Sequence, residues 1–285
     1  MRVVSLLPAA TEIVAAIGAA DRLVGVSHEC DWPEGAVRDR PRVTRTWIDT
    51  SLPSRAIDRQ VSQAGGSRPP IELDLEALRR ARPDILIGQA VCEVCAVGAG
   101  EMARALGALE AAPRVVTLHA HDLAGVWNDI GRVGEALDLS GEAEELVAGL
   151  RYRLRRLHHH IPHPASRIPR VLVVEWLEPP YVAGHWVPEL VTAAGGVDVA
   201  ARHGDRSLMR PWAELRDLSP EIVVIALCGF DVPRARRELA ATTDPDAQAL
   251  FASARVVFLD GNAYTSRPGP RLVEGAEILA GLIHG

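Results

Sequence analysis

Four cysteines, Cys30, Cys92, Cys95 and Cys228, are the residues of this chain whose type and spacing point most directly to chemistry. Two of them stand at C-x-x-C spacing in DILIGQAVCEVC, Asp84 to Cys95, so a single loop could supply two thiolates to one ion. Thiolate suits zinc, iron–sulfur clusters and soft metals. The apolar run Ile85-Leu86-Ile87 before the pair reads as a strand buried on both faces and broken at Gly88. The other two cysteines repeat this grammar, because Leu23 to Val26 runs into Cys30 and Ile222 to Leu227 runs into Cys228. In an open α/β sheet the loops leaving the carboxyl ends of strands open onto the ligand crevice. The expectation is that all four thiols meet there around a zinc ion or an iron–sulfur cluster. The plainer alternative is buried cysteines packed as small apolar side chains. A redox dithiol is a third reading, but it needs C-x-x-C at a helix N-terminus, and Gly98 to Glu101 open their helix too late.

The elements that must position these residues alternate. Val3 to Leu7 reads as a strand, Pro8 onward as a helix with Ile13, Val14 and Ile17 on one face, and Leu23 to Val26 as a second strand. Arg40 to Pro70 is rich in Pro, Ser, Arg and Gly and reads as a long irregular stretch with one helical piece, Ser54 to Ala64. Helix Leu75 to Ala81, the strand before the C-x-x-C, helix Gly100 to Leu109 and strand Arg114 to Leu118 complete a βα series, which calls for a parallel sheet with helices on its faces. Asp122 to His160 carries no strand signal and has apolar residues at helical spacing. A second βα series starts at Arg170. The expected organisation is an N-terminal lobe over 1–121, a helical connector over 122–163 and a C-terminal lobe over 164–285. The fold class is α/β: two Rossmann-like lobes with parallel sheets, joined by a rigid backbone helix, with a ligand cleft between them.

Composition narrows the partners. The 285 residues are 48% hydrophobic and 24% charged, enough for well-buried α/β lobes. Net charge is −6 with no basic block, so there is no electrostatic footprint for nucleic acid. Met1-Arg2 leads straight into Val3 to Pro8, too short for the apolar core of a secretory signal, so the chain reads as cytoplasmic, and as periplasmic only where an export signal has been removed. A reducing compartment favours metal or redox use of cysteine over structural disulfides.

Further candidates lie at the same strand ends. His28, Glu29, Asp31 and Trp32 flank Cys30 and could ligate a metal or hydrogen-bond a ligand. Aromatics make up only 4% of the chain, yet Trp47, Trp176, Tyr181 and Trp186 fall in or near expected loops, where flat rings suit a flat apolar macrocycle. His185 is a candidate axial ligand to cobalt or haem iron. Tyr264 and Arg267 sit in YTSRPGPRL, where the guanidinium could meet a carboxylate or amide edge. Gly98 to Ala103 matches G-x-G-x-x-A, but Cys92 to Val97 separate it from its strand, so it does not read as a dinucleotide site. His158 to His160 with His163 read as a helix end. No G-x-S-x-G, H-E-x-x-H or P-loop occurs.

The segments SLLPAATEIV at Ser5, VGVSHECDWP at Val24, PRVTRTWID at Pro41, LDLEALRRARPDILIGQAVCEVCAV at Leu73, GHWVPELVTAAGGVDV at Gly184, CGFD at Cys228 and RPGPRLVEGAEILA at Arg267 resemble the helical-backbone (class III) substrate-binding proteins of metal-chelate uptake. That class includes cobalamin-, haem- and siderophore-binding proteins, and the branch most similar is the cobalamin-binding one. The resemblance implies a pocket between lobes for a corrinoid or related metal chelate, little hinge motion, and binding rather than catalysis. In an exported relative it would also imply docking to an ABC-transporter permease through Glu76 and Glu214. The alternative it leaves open is a redox or catalytic protein built on the four cysteines.

Overall fold

The computed structural model describes residues 1–64, 69–89, 97, 102–103, 106–107, 109–161 and 168–285. The chain divides into two compact units, the first comprising Met1–Leu52, Arg59–Ala120 and Ala124–Ala148, the second Pro53–Asp58, His121–Leu123 and Gly149–Gly285.

In the first unit, β1 (Val3–Ser5) leads into α1 (Pro8–Ala16), whose proline occupies the first turn, where no N–H is needed. Then come β2 (Leu23–Val26), the short α2 (Glu34–Val37) and β3 (Thr44–Thr46). Next are α3 (Ser54–Ala64), whose first residues group with the second unit, β4 (Ile71–Leu73) and α4 (Leu75–Ala81). Asp74 caps α4 by accepting the Ala77 N–H, and Arg82, at φ 41°, ends it. After β5 (Ile85–Gln89) and β6 (Arg114–Leu118) come α5 (Leu123–Ala136) and α6 (Ser140–His160). The unit boundary falls inside α6.

The sheet runs β2-β1-β5-β6, all parallel, with Val3 to Ser5 opposite Ile85 to Ile87. Val4, Leu6 and Leu86 are packed with Val43, Ile71, Leu73 and Leu78 into one buried cluster. Two expectations are corrected. The stretch from Arg40 to Pro70 is not simply irregular: β3 pairs antiparallel with β4, Thr44 opposite Leu73, a contact across more than twenty residues that no local pattern carries. Nor does Gly88 break its strand. It pairs with Thr117 inside β5, and a side chain there would meet Met102 Cε at 2.8 Å.

The second unit is built on β7 (Arg170–Leu177), β8 (Pro180–Val182), α7 (Val187–Ala193), β9 (Val197–Asp198), β10 (Leu208–Met209) and α8 (Trp212–Asp217). It continues through β11 (Ile222–Ile225), α9 (Val232–Ala240), α10 (Pro245–Ser253), β12 (Arg255–Phe258), α11 (Gly261–Tyr264) and α12 (Leu272–His284). Asp231, Asp244 and Asp260 cap α9, α10 and α11 by accepting backbone N–H groups. The strand order is β10-β8-β7-β11-β12, with β9 also on β7. β7, β11 and β12 are parallel and their inner residues, Val171 to Val174 and Ile222 to Ile225, are buried. The expected parallel core, β7-β11-β12, carries an antiparallel edge. Glu178-Pro179 form a two-residue turn that returns β8 antiparallel along β7, and β10 pairs antiparallel on β8.

Candidate functional site

In the first unit the loop leaving β2 is held by hydroxyl groups. Cys30 is 1% exposed, and its Sγ is hydrogen-bonded with Thr11 Oγ1 at 3.1 Å and Ser27 Oγ at 3.3 Å. Thr11 Oγ1 donates in turn to Ser5 Oγ, and Ser5 to the Leu7 carbonyl. Burial pushes the thiol pKa up, against the pull of those hydrogen bonds and of Arg42. Arg42 spans the loop from outside, donating Nη1 to the carbonyls of Ser27 and Cys30. His28 gives its backbone N–H to Thr44 Oγ1, which also lies 2.7 Å from its ring Nδ1. Thr44 Oγ1 thus ties the His28 ring to the backbone of the same residue. Burial, and then Arg42, lower the His28 pKa, so the ring is neutral near pH 7. Glu29, Asp31 and Trp32 stand exposed, Trp32 at 48%. Trp47 is half-buried and donates Nε1 to the Pro69 carbonyl.

In the second unit the aromatic residues cluster where β7, β8 and β11 end. Trp176 and Tyr181, read from the sequence as lying in or near a loop at the strand end, stand on β7 and β8, directly opposite each other across the hairpin. The Trp176 ring lies 5.4 Å from Phe230 at 57°, and the Arg234 guanidinium sits 3.6 Å over the Phe230 ring. Cys228, two residues before Phe230, is half-buried and donates its backbone N–H to the Glu175 carbonyl, tying the end of β11 to β7. Neither Phe230 nor Arg234 was singled out from the sequence. The available signal was CGFD, where the cysteine drew attention from its neighbour.

His185 and Trp186 part company. Trp186 is 7% exposed and donates Nε1 to the Thr265 carbonyl, while His185 is half-buried with its ring 5.5 Å from that of Trp186 and 5.8 Å from that of His121. Arg267 is 5% exposed and donates Nη2 to Asn262 Oδ1. The Tyr264 hydroxyl donates to Glu274 Oε1 at 3.2 Å, and Arg271 covers its ring. A cleft of about 720 Å³ lies elsewhere in this unit, lined by His158 and His159 of α6, Glu189 of α7, and Asp198 and His203. Asp198 Oδ1 accepts the N–H groups of Ala200 and Ala201; Oδ2 is buried without a partner among the described residues, and burial raises this carboxyl to about 6.

Cys92 and Cys95, with the G-x-G-x-x-A glycines and His163, lie outside the described residues. Among the described residues no group of three His, Cys, Asp or Glu could hold a metal ion, and no helix is long and apolar enough to cross a membrane. Glu76 and Glu214 are exposed, Glu76 paired to Arg80 one turn on in α4 and Glu214 to Arg210 just before α8.

A comparison with curated protein sequences finds no match. Solved structures share the fold at low identity. A periplasmic haem-binding protein from Pseudomonas aeruginosa is 24% identical at TM-score 0.69, covering 99% of this chain and 92% of its own. The periplasmic vitamin B12-binding protein of Vibrio cholerae is 19% identical at TM-score 0.69, covering 99% and 96%. An ABC-transporter substrate-binding protein from Listeria monocytogenes is 18% identical at TM-score 0.72, covering 99% and 98%. Residues 3–256 match the family described as periplasmic binding protein, and with two α/β units, a long helix through the unit boundary and aromatic residues at the strand ends, the chain belongs to that family.

Proposed function

We propose that this binding protein takes a corrinoid or a related tetrapyrrole-type metal chelate, with Trp176 and Tyr181 as its apolar platform and the buried Phe230 behind Trp176. The observation that carries this reading is the Trp176–Tyr181 cross-strand pair, with the Trp176 ring tilted against Phe230 at 5.4 Å. Trp176, at the carboxyl end of β7, and Tyr181, opposite it on β8, are both partly exposed where open α/β sheets bind their ligands. A flat macrocycle buries mostly apolar area, which aromatic faces match without the desolvation cost of charged groups. Arg234 over Phe230 supplies a cation beside that platform for the carboxylate or amide groups at a macrocycle's rim. The likeness to proteins named for haem and vitamin B12 binding supports the same ligand class. The likeness to an ABC-transporter substrate-binding protein supports delivery of the chelate to a membrane permease.

Calorimetric titration of the protein with cyanocobalamin, dicyanocobinamide and haemin in turn tests the reading. Saturable one-to-one binding of at least one of them, weakened in a Trp176→Ala variant, is the expected result. Absence of binding to all three, in protein that melts cooperatively, sinks it.

A further inference from the structure

The start of α3 stands apart from the rest of its helix. Pro53–Asp58 group with the second unit, whereas Met1–Leu52 and Arg59–Ala120 on either side group with the first. The polar ties of this short piece include two carboxylates of the second unit. The Ser54 N–H donates to Glu238 Oε2 at 2.9 Å, and Arg55 Nε lies 3.1 Å from Glu178 Oε2. The first N–H groups of a helix have no partner inside it, and the helix dipole favours an anion at that end, so the carboxylate reaching over from α9 satisfies both. Ser54 and Ile57, one turn apart, are the buried face of the piece.

Both carboxylates come from the elements that hold the aromatic platform. Glu178 is in the turn between β7 and β8, just beyond Trp176 and just before Tyr181. Glu238 is on α9, one turn beyond Arg234, whose guanidinium covers Phe230. Pro53–Asp58 therefore bridge the β7–β8 hairpin and α9, the same two elements that the contacts of Trp176 with Phe230 and of Phe230 with Arg234 connect. The hold is light. Arg55 is exposed and Glu178 half-buried, so water and salt reach the ion pair, and such a pair shifts an equilibrium by less than about tenfold. Ile57 is the one large apolar side chain that the piece buries. A segment with so few buried contacts opens far more readily than the sheet beneath it. We propose that Pro53–Asp58 are a latch over the Trp176–Tyr181 platform, fastened by Glu178 and Glu238, whose release admits and frees the ligand. The latch rests on the macrocycle reading for what it admits, while its opening is measurable on the protein alone. Because release precedes both entry and exit, loosening it speeds both and leaves affinity nearly constant.

Hydroxyl-radical footprinting of the full chain without ligand, read by mass spectrometry, reports how open the two rings are. In a Glu178→Gln/Glu238→Gln variant, oxidation of Trp176 and Tyr181 should rise about threefold or more, with the exposed Tyr152 of α6 as an unchanged internal standard. Arg55→Gln, which leaves both carboxylates in place, should give a smaller rise in the same direction. Raising NaCl from about 20 to about 500 mM should open the parent and change the double variant far less, because the variant lacks the charges that salt screens; this readout in the parent does not depend on any variant folding. Ring oxidation unchanged in both variants, or an equal salt response in parent and double variant, overturns the latch. In stopped-flow mixing with haemin or dicyanocobinamide, the double variant should bind and release severalfold faster at nearly constant affinity, and unchanged rates beside faster ring oxidation also overturn it. Salt- and variant-dependent ring oxidation in a protein that takes none of the chelates supports the cover and fails the macrocycle reading alone.

Discussion

Thr11 Oγ1 and Cys30 Sγ are hydrogen-bonded at 3.1 Å, linking the first turn of α1 to the loop that leaves β2. Ser27 completes the thiol's surroundings on the other side, and Arg42 ties down the carbonyls of the same loop. A thiol with two hydroxyl partners, 1% exposed and with its pKa raised by burial, is a slow nucleophile. Mass-spectrometric mapping of iodoacetamide labelling at pH 8 should find Cys228, half-buried, modified in the native protein well before Cys30, with Cys30 modified only on unfolding. Thr11→Val should lower stability by about 1 kcal/mol in chemical denaturation, the usual size of one lost buried hydrogen bond. Equal labelling rates for the two thiols would contradict this account.

Asp198 sets a pH dependence whose sign follows from its surroundings. Its carboxyl titrates near 6 in the folded protein against about 3.9 in an unfolded chain. The native state therefore holds more protons between those values, and stability is fully present below about pH 4 and falls as pH rises through 6. The ionisation cost is at most about 3 kcal/mol, since moving a titration midpoint by one pH unit is worth roughly 1.4 kcal/mol. Asp198→Asn keeps an oxygen for the Ala200 and Ala201 N–H groups and removes the charge. Thermal melts should show the variant several degrees more stable than the parent at pH 7.5 and nearly equal to it at pH 4.5.

Gly184 lies against backbone with no room for a methyl group. A Cβ there would sit 2.5 Å from the Asp205 carbonyl oxygen and 2.6 Å from the Arg206 carbonyl carbon. Those atoms belong to the segment that clasps His185, so a clash displaces the clasp and the strand pairing of β10 that follows it. Gly184→Ala should cost about 2 kcal/mol or more in urea unfolding, in the range of overpacking substitutions. A neutral result would mean that the 204–207 segment yields without consequence.

The platform at the strand ends predicts a graded loss of ligand. Trp176→Ala should weaken a bound macrocycle about ten- to a hundredfold, the scale of one large buried aromatic face. Tyr181→Phe, which keeps the ring, should change affinity less than threefold if the contact is one of faces rather than hydroxyl. Dissociation constants from calorimetry separate these outcomes.

Much of the architecture was legible in the residues alone, because the signals are local. Helix Leu75 to Ala81 is bracketed by the Asp74 cap and Arg82-Pro83, and strand Arg114 to Leu118 carries its own apolar run; both stand where the spacing predicts them. The seven segments from SLLPAATEIV to RPGPRLVEGAEILA carried the family. What the tertiary structure alone decided are relations across long stretches of chain. Thr44 pairs with Leu73, Trp176 stands opposite Tyr181 and against Phe230, and His121 meets His185. Periodicity and capping depend on neighbours a few residues away, whereas these contacts depend on strand register and on how each helix packs its sheet. The place of Cys30 just past a strand likewise made it a candidate metal ligand or a buried small side chain, and only the packing of α1 against the β2 loop set it inward against two hydroxyl groups, since burial is a property of the surrounding atoms and not of the residue.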